Sequence, residues 1–334
     1  MKRCTRCVLP ETYPGIHFDA DGVCNFCGRF KGVDRLKQSM KKYRSRFEKL
    51  LTEKKRVGEY DAVMAYSGGK DSTFTMAVLK KEYDISFLAL TLDNGFISPR
   101  SLDNIRNVVE GLSVDHIIYK PRMDTLGRLF LHSAKEDIYS RKGLERASSI
   151  CTTCMGLVKF IALRYAIESS IPLIIYGWSP GQAPVEASIF HNNPKMIKTM
   201  QDQFTGPMKK IVGDDIDNYF LTEKHFNMPE RFPHNISPLA FLEYDEEKIL
   251  EYIKSLGWKK PDDTDPNSTN CLLNAMGIDI HQKRFGFHPY AFELGGLVRA
   301  GYMDRDEAIA RLEEKTDQKI VNMVKKKLDN AIKE

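Results

Sequence analysis

The residues with most chemistry in this chain are its seven cysteines and one glycine-rich turn. Cys4-x2-Cys7 is followed after sixteen residues by Cys24-x2-Cys27. Two close pairs at that separation bring four thiolates to tetrahedral reach, and a segment of about 28 residues cannot bury enough apolar surface to fold by itself. A structural Zn²⁺ is therefore expected, with a pair of disulfides as the alternative that a reducing compartment disfavours. Cys151-x2-Cys154 has no such second pair; its one companion is Cys271, more than a hundred residues away. Three thiolates leave one metal position open. Cys271 sits in DDTDPNSTNCLLNAMG, a polar, turn-rich approach of the kind that brings a loop to a site rather than to a core.

The turn lies in DAVMAYSGGKDSTFTMAVLKK, residues 61–81. An apolar run meets Ser67, Gly68, Gly69, Lys70, Asp71 and Ser72, and helical spacing follows at Phe74, Ala77 and Val78. Adjacent glycines let backbone N–H groups approach an anion, and the helix presents its unpaired N-terminal donors to the same point, so a phosphate fits there. The common pattern G-x-x-x-x-G-K-[ST] is absent, because Asp71 follows the lysine. The string resembles the S-G-G-x-D-S signature of the PP-loop ATP pyrophosphatases. That resemblance implies an α/β fold with helices on both faces of a parallel sheet. It also implies ATP bound with Mg²⁺ through Ser67, Gly68, Gly69, Lys70, Asp71 and Ser72, with Lys70 and Asp71 taking part in catalysis, and cleavage to AMP and pyrophosphate with AMP placed on a substrate oxygen. A plain glycine turn capped by Asp71 is the simpler alternative.

The order of motifs is similar to that of the sulfur-transferring tRNA thiolation enzymes of the same superfamily: a four-cysteine ribbon, the S-G-G-x-D-S loop, then C-x-x-C with one distant cysteine. By that resemblance Cys151, Cys154 and Cys271 hold a [4Fe-4S] cluster open to exogenous sulfide. A Cys151/Cys154 persulfide–disulfide pair and reduced structural thiols remain the alternatives. The family also implies that Asp93, at the end of a strand in LALTLDNGF, lies beside the adenine and ribose, although Asp-Asn-Gly is equally common turn chemistry. Lys159 is the nearest match to a family lysine that reaches the phosphates, displaced by one residue, with a plain helix-surface lysine as the alternative. The family's G-H-N-x-x-D loop is matched here only by Gly177; Trp178 and Ser179 follow, no aspartate does, and Gln182 or Glu186 is left to substitute.

A second resemblance covers the C-terminal third and the start of the chain. LEYDEEKILEYIKSLGWKKPDD, HQKRFGFHPYAFELGGLVRAGYMDRDEAIARLEE and RCVLPETYPGIHFDADGVCNFC are similar to the N-acetyl sugar amidotransferases, which take ammonia from a glutaminase partner. The cysteine trio has no task in an ammonia-using enzyme, so sulfur transfer is preferred over amidation. A non-catalytic zinc-ribbon module that retains a nucleotide or RNA-binding fold is the third reading. The acceptor is left open among a tRNA, a small molecule and a carrier-bound group, beside a sulfur donor; a homodimer is left open too.

The elements that must position these residues alternate. Strands are expected at 62–66, 85–92, 115–119 and 173–176, with helices at 72–81, 102–112, 125 to about 142, and 157–169. Alternation of this kind argues for a parallel sheet covered on both faces, with ligands beyond the strand C-termini, where residues 67–72, 93–96 and 177–182 all fall. The chain divides into a ribbon at 1–30, a basic helical linker at 31–57, the nucleotide domain at 58–240 and a helical C-terminal region at 241–334 that contributes Cys271. Residues 196–236 read as an irregular insertion, and His191, His225 and His234 in or near it read as ordinary histidines. Residues 29–56 carry twelve Lys and Arg against three acidic residues, with Leu36, Met40, Tyr43, Phe47 and Leu50 at helical spacing. That face is either solvated or a contact for RNA phosphates. At 334 residues, 42% hydrophobic and 28% charged, the composition is that of a globular chain. No apolar run approaches the ~20 residues of a membrane span, and no signal-peptide core follows the start, so a cytoplasmic location without membrane partners is expected.

Overall fold

The computed structural model describes residues 1–55, 58–265 and 267–331. Arg56 and Val57 at the end of the basic segment, Pro266 in the approach to Cys271, and the last three residues of the C-terminal region lie outside the described residues. Six strands form one sheet: β1 Ala62–Ala65, β2 Phe87–Leu92, β3 Asp115–Tyr119, β4 Leu173–Tyr176, β5 Ile189–His191 and β6 His234–Ile236. Their spatial order is β3-β2-β1-β4-β6-β5, parallel throughout except for β5 on β6.

The short apolar runs form interior strands because both of their faces are covered. Val63, Leu88, Leu90, Ile174 and Tyr176 point to one core, packed by the helices Met123–Lys135, Ser149–Glu168, Pro194–Val212, Leu273–Phe285 and Gln318–Ala331. Ala62, Met64, Phe87, Ala89, Leu173 and Ile175 point to the other, under Val33–Lys54, Lys70–Tyr83, Pro99–Gly111 and Glu246–Lys254. The basic segment is thus a helix that buries Phe47, Leu50 and Leu51 and leaves Lys41, Lys42 and Arg44 exposed. Ser149–Glu168 is long and apolar enough to cross a membrane, a length the sequence runs do not show; ten of its residues, from Ser149 to Ile167, are buried inside the fold.

Three expectations change. Residues 196–236 are not an irregular excursion, since Pro194–Val212 is a continuous helix and β6 lies parallel beside β4 as a true sheet strand. Three-residue strands are too short to show alternation, and Pro207 inside the helix reads as a breaker. The helix expected to run to about residue 142 stops at Lys135, where Glu136 turns extended. The helix expected from 157 begins instead at Ser149, with the Ser148 side chain accepting from the Cys151 N–H. Cys151 and Cys154 therefore stand one turn apart on the same face of a capped helix.

Strand order reverses between β1 and β4, because β1 is followed by β2 on one side and flanked by β4 on the other. That is the switch point of an open α/β sheet, where loops part and a crevice forms. The loops after β1 and β4 meet there at Gly177, where a Cβ would stand 2.3 Å from Ser72 Cα and 2.7 Å from Ser72 N. Gly177→Ala should therefore lower stability by about 1–3 kcal/mol through overpacking of two backbones. Urea unfolding checks this; an unchanged midpoint would mean that the loops part without cost.

Candidate active site

The turn after β1 is held from below. Gly68 has φ +75° and room for no side chain, with Ile105 Cγ1 2.5 Å from where a Cβ would lie, and its carbonyl accepts from Trp258 Nε1 at 3.0 Å. Ser67 Oγ and Ser72 Oγ stand 3.1 Å apart, Gly69 N donates to Ser67 Oγ, and Ser72 Oγ donates to Gly69 O. Beyond this turn lies a cavity of about 240 Å³. Ser67, Ser72, Asn94, Lys159, Gly177, Trp178 and the cysteines 151, 154 and 271 all line it.

Cys271 arrives by backbone pairing. Ile97 and Cys271 form an antiparallel bridge, flanked by Ser98 N to Asn270 O at 3.0 Å and Leu272 N to Phe96 O at 2.9 Å. Asn94 Nδ2 donates to both Cys154 Sγ, at 3.4 Å, and Cys271 Sγ, at 3.5 Å. Cys151 Sγ donates to Asn274 Oδ1 at 3.4 Å, which also accepts from Tyr290 OH. Burial pushes the Cys151 and Cys154 thiols up to about 12, and Cys271 moves in the same direction for the same reason. Such thiols are poor nucleophiles unless a cation joins them. Three thiols lining one cavity could together hold a cluster of several metals.

The remaining residues singled out from sequence divide. Lys159 lines the cavity with Nζ 4.7 Å over the Trp178 ring while part of its side chain stays exposed, and desolvation, then Arg146, holds its amine below the usual range. Gly68, Gly69, Lys70, Asp71 and Asp93 are not among the lining residues. Lys70 Nζ donates to Asp71 Oδ1 and to Tyr244 OH, each at 2.9 Å, with Glu246 at 3.7 Å. Burial opposes its charge, but these partners outweigh it and raise its pKa. Asp93 closes its turn, accepting from Gly95 N and pairing with Lys120. Its neighbour Asn94, which ends the same strand, is the one that reaches the sulfurs. At the third loop, Gln182 and Ser179 both donate to Glu293 of the helix Ala291–Ala300, at 3.1 and 2.5 Å, whereas Glu186 is exposed. No sequence signal links Glu293 to that loop; only the packed helix does. Of the three histidines, His225 caps its own short helix and pairs with Glu168, and His191 lies edge-on to His234.

The N-terminal four fit one tetrahedral metal ion. All four thiols lie within 4.8 Å of one another, and Cys4 Sγ accepts from the N–H groups of Arg6, Cys7 and Cys24 at 3.2–3.4 Å. Arg299, whose charge acts on Cys7, keeps a buried Nη1 with no hydrogen-bond partner among the described residues, a cation that suits a thiolate-rich centre. The ribbon packs through Val8, Leu9 and Tyr13 on Leu294, Leu297 and Leu312 of the C-terminal helices.

No protein-family model matches the chain. It is 24% identical over 320 residues to an uncharacterized protein of Methanocaldococcus jannaschii, a match spanning 93% of each. Among solved structures, it is similar to the U34-tRNA thiolase NcsA from Methanococcus maripaludis with its [4Fe-4S] cluster. That match has a TM-score of 0.38 and 19% identity, and covers 90% of this chain and 86% of that one. The NMN synthetase of Francisella tularensis matches with a TM-score of 0.37 and 14% identity, over 85% of this chain and 93% of that one.

Two predictions follow from this geometry. Serine at any one of Cys4, Cys7, Cys24 or Cys27 should release the ribbon metal and expose the apolar contacts to Leu294 and Leu297, read by metal analysis and proteolysis; full metal content in all four variants would refute the site. Glu293 is the second case, its carboxyl raised from 4.5 to about 7, first by burial. Between those values the folded state holds a proton that the unfolded chain releases, so stability falls as pH rises through the window, by on the order of 3 kcal/mol above it. Glu293→Gln should flatten that slope and be the more stable form at pH 8. Urea titrations at pH 5 and 8 compare the two, and parallel slopes would show that Glu293 titrates normally.

Proposed function

We propose that this protein is an ATP-dependent enzyme of the PP-loop type. It adenylates a carbonyl or amide oxygen of its acceptor and then replaces that oxygen by sulfur. One observation carries the reading: the hydroxyls of the phosphate turn and all three distant cysteines line the same cavity. The turn's N–H groups and Ser72 hold the phosphates, with Mg²⁺ accompanying them, and pyrophosphate leaves as AMP is attached to the acceptor. Lys159 lines the same cavity, where its ammonium would offset charge that develops at the α-phosphate. Lys70 and Asp71 act from behind the turn, joined to Tyr244 and Glu246, and fix the helix that carries Ser72.

Cys151, Cys154 and Cys271 would hold a [4Fe-4S] cluster, which when bound supplies sulfide next to the activated carbon. Asn94 holds two of those sulfurs in place, and the surrounding burial keeps water from competing for the adenylated carbon. Cys4, Cys7, Cys24 and Cys27 would hold Zn²⁺ and fasten the ribbon to the C-terminal helices. A tRNA is the acceptor that the exposed cations of the Val33–Lys54 helix favour, because Lys41, Lys42 and Arg44 lie on its solvent face. Amidation with ammonia would leave the three cavity sulfurs without a task.

Turnover with acceptor, ATP and Mg²⁺ should give AMP and pyrophosphate; ADP as the main product would end the assignment. With sulfide and ammonium offered in parallel, the product should gain the mass difference between sulfur and oxygen. Cys151→Ser, Cys154→Ser and Cys271→Ser should each lose iron and thiolation while ATP still binds. An amidated product that survives all three substitutions would refute sulfur transfer.

A further inference from the structure

The helix head that should receive a phosphate is already engaged. Lys70 N donates to the side-chain hydroxyl of Thr269 at 3.1 Å, across nearly two hundred residues of chain, and Asn270 Nδ2 donates to Ser67 O at 3.2 Å. Gly69, the N-cap of this helix, offers no side chain for the purpose, so a hydroxyl from the C-terminal region stands where an anion would meet the first N–H. Thr269 is itself held by its carbonyl, which accepts from Ser101 Oγ at 3.1 Å.

Two residues further on is Cys271. Its strand is pinned to residues 96–98 through the Ile97 bridge and the bonds from Ser98 N and Leu272 N. The run 269–271 therefore touches the phosphate turn at one end and the sulfur trio at the other. A second observation marks the space beside it for a ligand: Asn274, which lines the cavity and is 4% exposed, keeps its Nδ2 buried with no partner among the described residues.

We propose that Thr269 is a positioning residue that couples nucleotide binding to the placement of Cys271. Its hydroxyl fills the Lys70 N–H in the free protein, and a phosphate oxygen of ATP displaces it. A charged acceptor at a helix N-terminus makes a bond roughly twice as strong as a neutral hydroxyl does, which sets the direction of the exchange. The freed segment loosens its pairing with residues 96–98, so the reach of Cys271, which already lines the cavity with Cys151 and Cys154, is adjusted when nucleotide binds. Sulfide is then delivered after the acceptor can be activated, not before. This inference rests on the reading above that the turn binds ATP.

The test uses the full chain, Mg²⁺ and α,β-methylene ATP, with affinity read by calorimetry and hydrogen exchange read at the Ser98 and Leu272 amides. Nucleotide should speed exchange at both amides in the wild type. Thr269→Val keeps the shape but has no hydroxyl to displace. It should bind nucleotide roughly twofold to tenfold more tightly, the equivalent of one hydrogen bond that no longer has to be broken. Thr269→Ser should return to the wild-type affinity. Weaker binding by Thr269→Val would make the hydroxyl a phosphate ligand, and equal binding would make it a local cap; either overturns the proposal. Unchanged exchange at Ser98 and Leu272 in the wild type overturns the coupling whatever the variants do. A wild type that binds no nucleotide would instead remove the ATP reading itself, and this inference with it.

Discussion

Pairing of three residues past β2 with three residues before the Leu273–Phe285 helix is the contact on which this site depends. Its hydrogen bonds are ordinary in length, 2.9 and 3.0 Å, but the segments they join are more than 170 residues apart. Without it Cys271 would have no fixed relation to Cys151 and Cys154, and Thr269 would have none to Lys70. Closing so long a loop has a high entropic cost, which the surrounding burial offsets: Leu273, Ala275 and Met276 enter the same core as Leu90, Leu92 and Phe96. The C-terminal helices are in this sense part of the sheet domain, because they complete its crevice.

Electrostatics behind the turn follow from that packing. Lys70 and Glu246 come from the two halves of the chain and meet in a low-dielectric interior, where a lone ammonium would be strongly disfavoured. Asp71, Tyr244 and Arg311 complete the set, with Arg311 held to Glu246 at 3.0 Å. The lysine next to the glycine pair thus serves the joint between the turn and the C-terminal region. Glu293 shows the opposite outcome. It shares its burial with neutral donors, so it keeps its proton to near neutrality instead of ionising.

The ribbon illustrates how a segment too small to fold alone is stabilised twice. Four thiols brought within 4.8 Å could be cross-linked through a metal, and Tyr13, packed against Phe287 and Phe292, supplies an apolar anchor. Arg305 adds a third tie, donating to the carbonyls of Cys4 and Cys7. The ribbon leads into the basic helix, whose middle lies against the third loop, where Tyr43 OH donates to the Glu186 carbonyl.

What the sequence determined by itself is what short-range patterns encode. Apolar runs bounded by glycine and polar turns specify β1 to β4 nearly to the residue, the four-cysteine spacing specifies a four-thiol knuckle, and Ser-Gly-Gly-Lys-Asp-Ser specifies a strand–turn–helix with donors at its head. Each is decided within a few residues by backbone sterics and hydrogen bonding. Tertiary structure alone decided which groups meet. Strand β6 exists because β4 offers it an edge and β5 because β6 does, Asn94 rather than Asp93 reaches the sulfurs because the strand ends in a turn there, and Glu293 and Thr269 join the crevice because distant helices pack over it. Such contacts leave no local periodicity to read, since they are selected by the shape and burial of the whole core rather than by any one segment's preference.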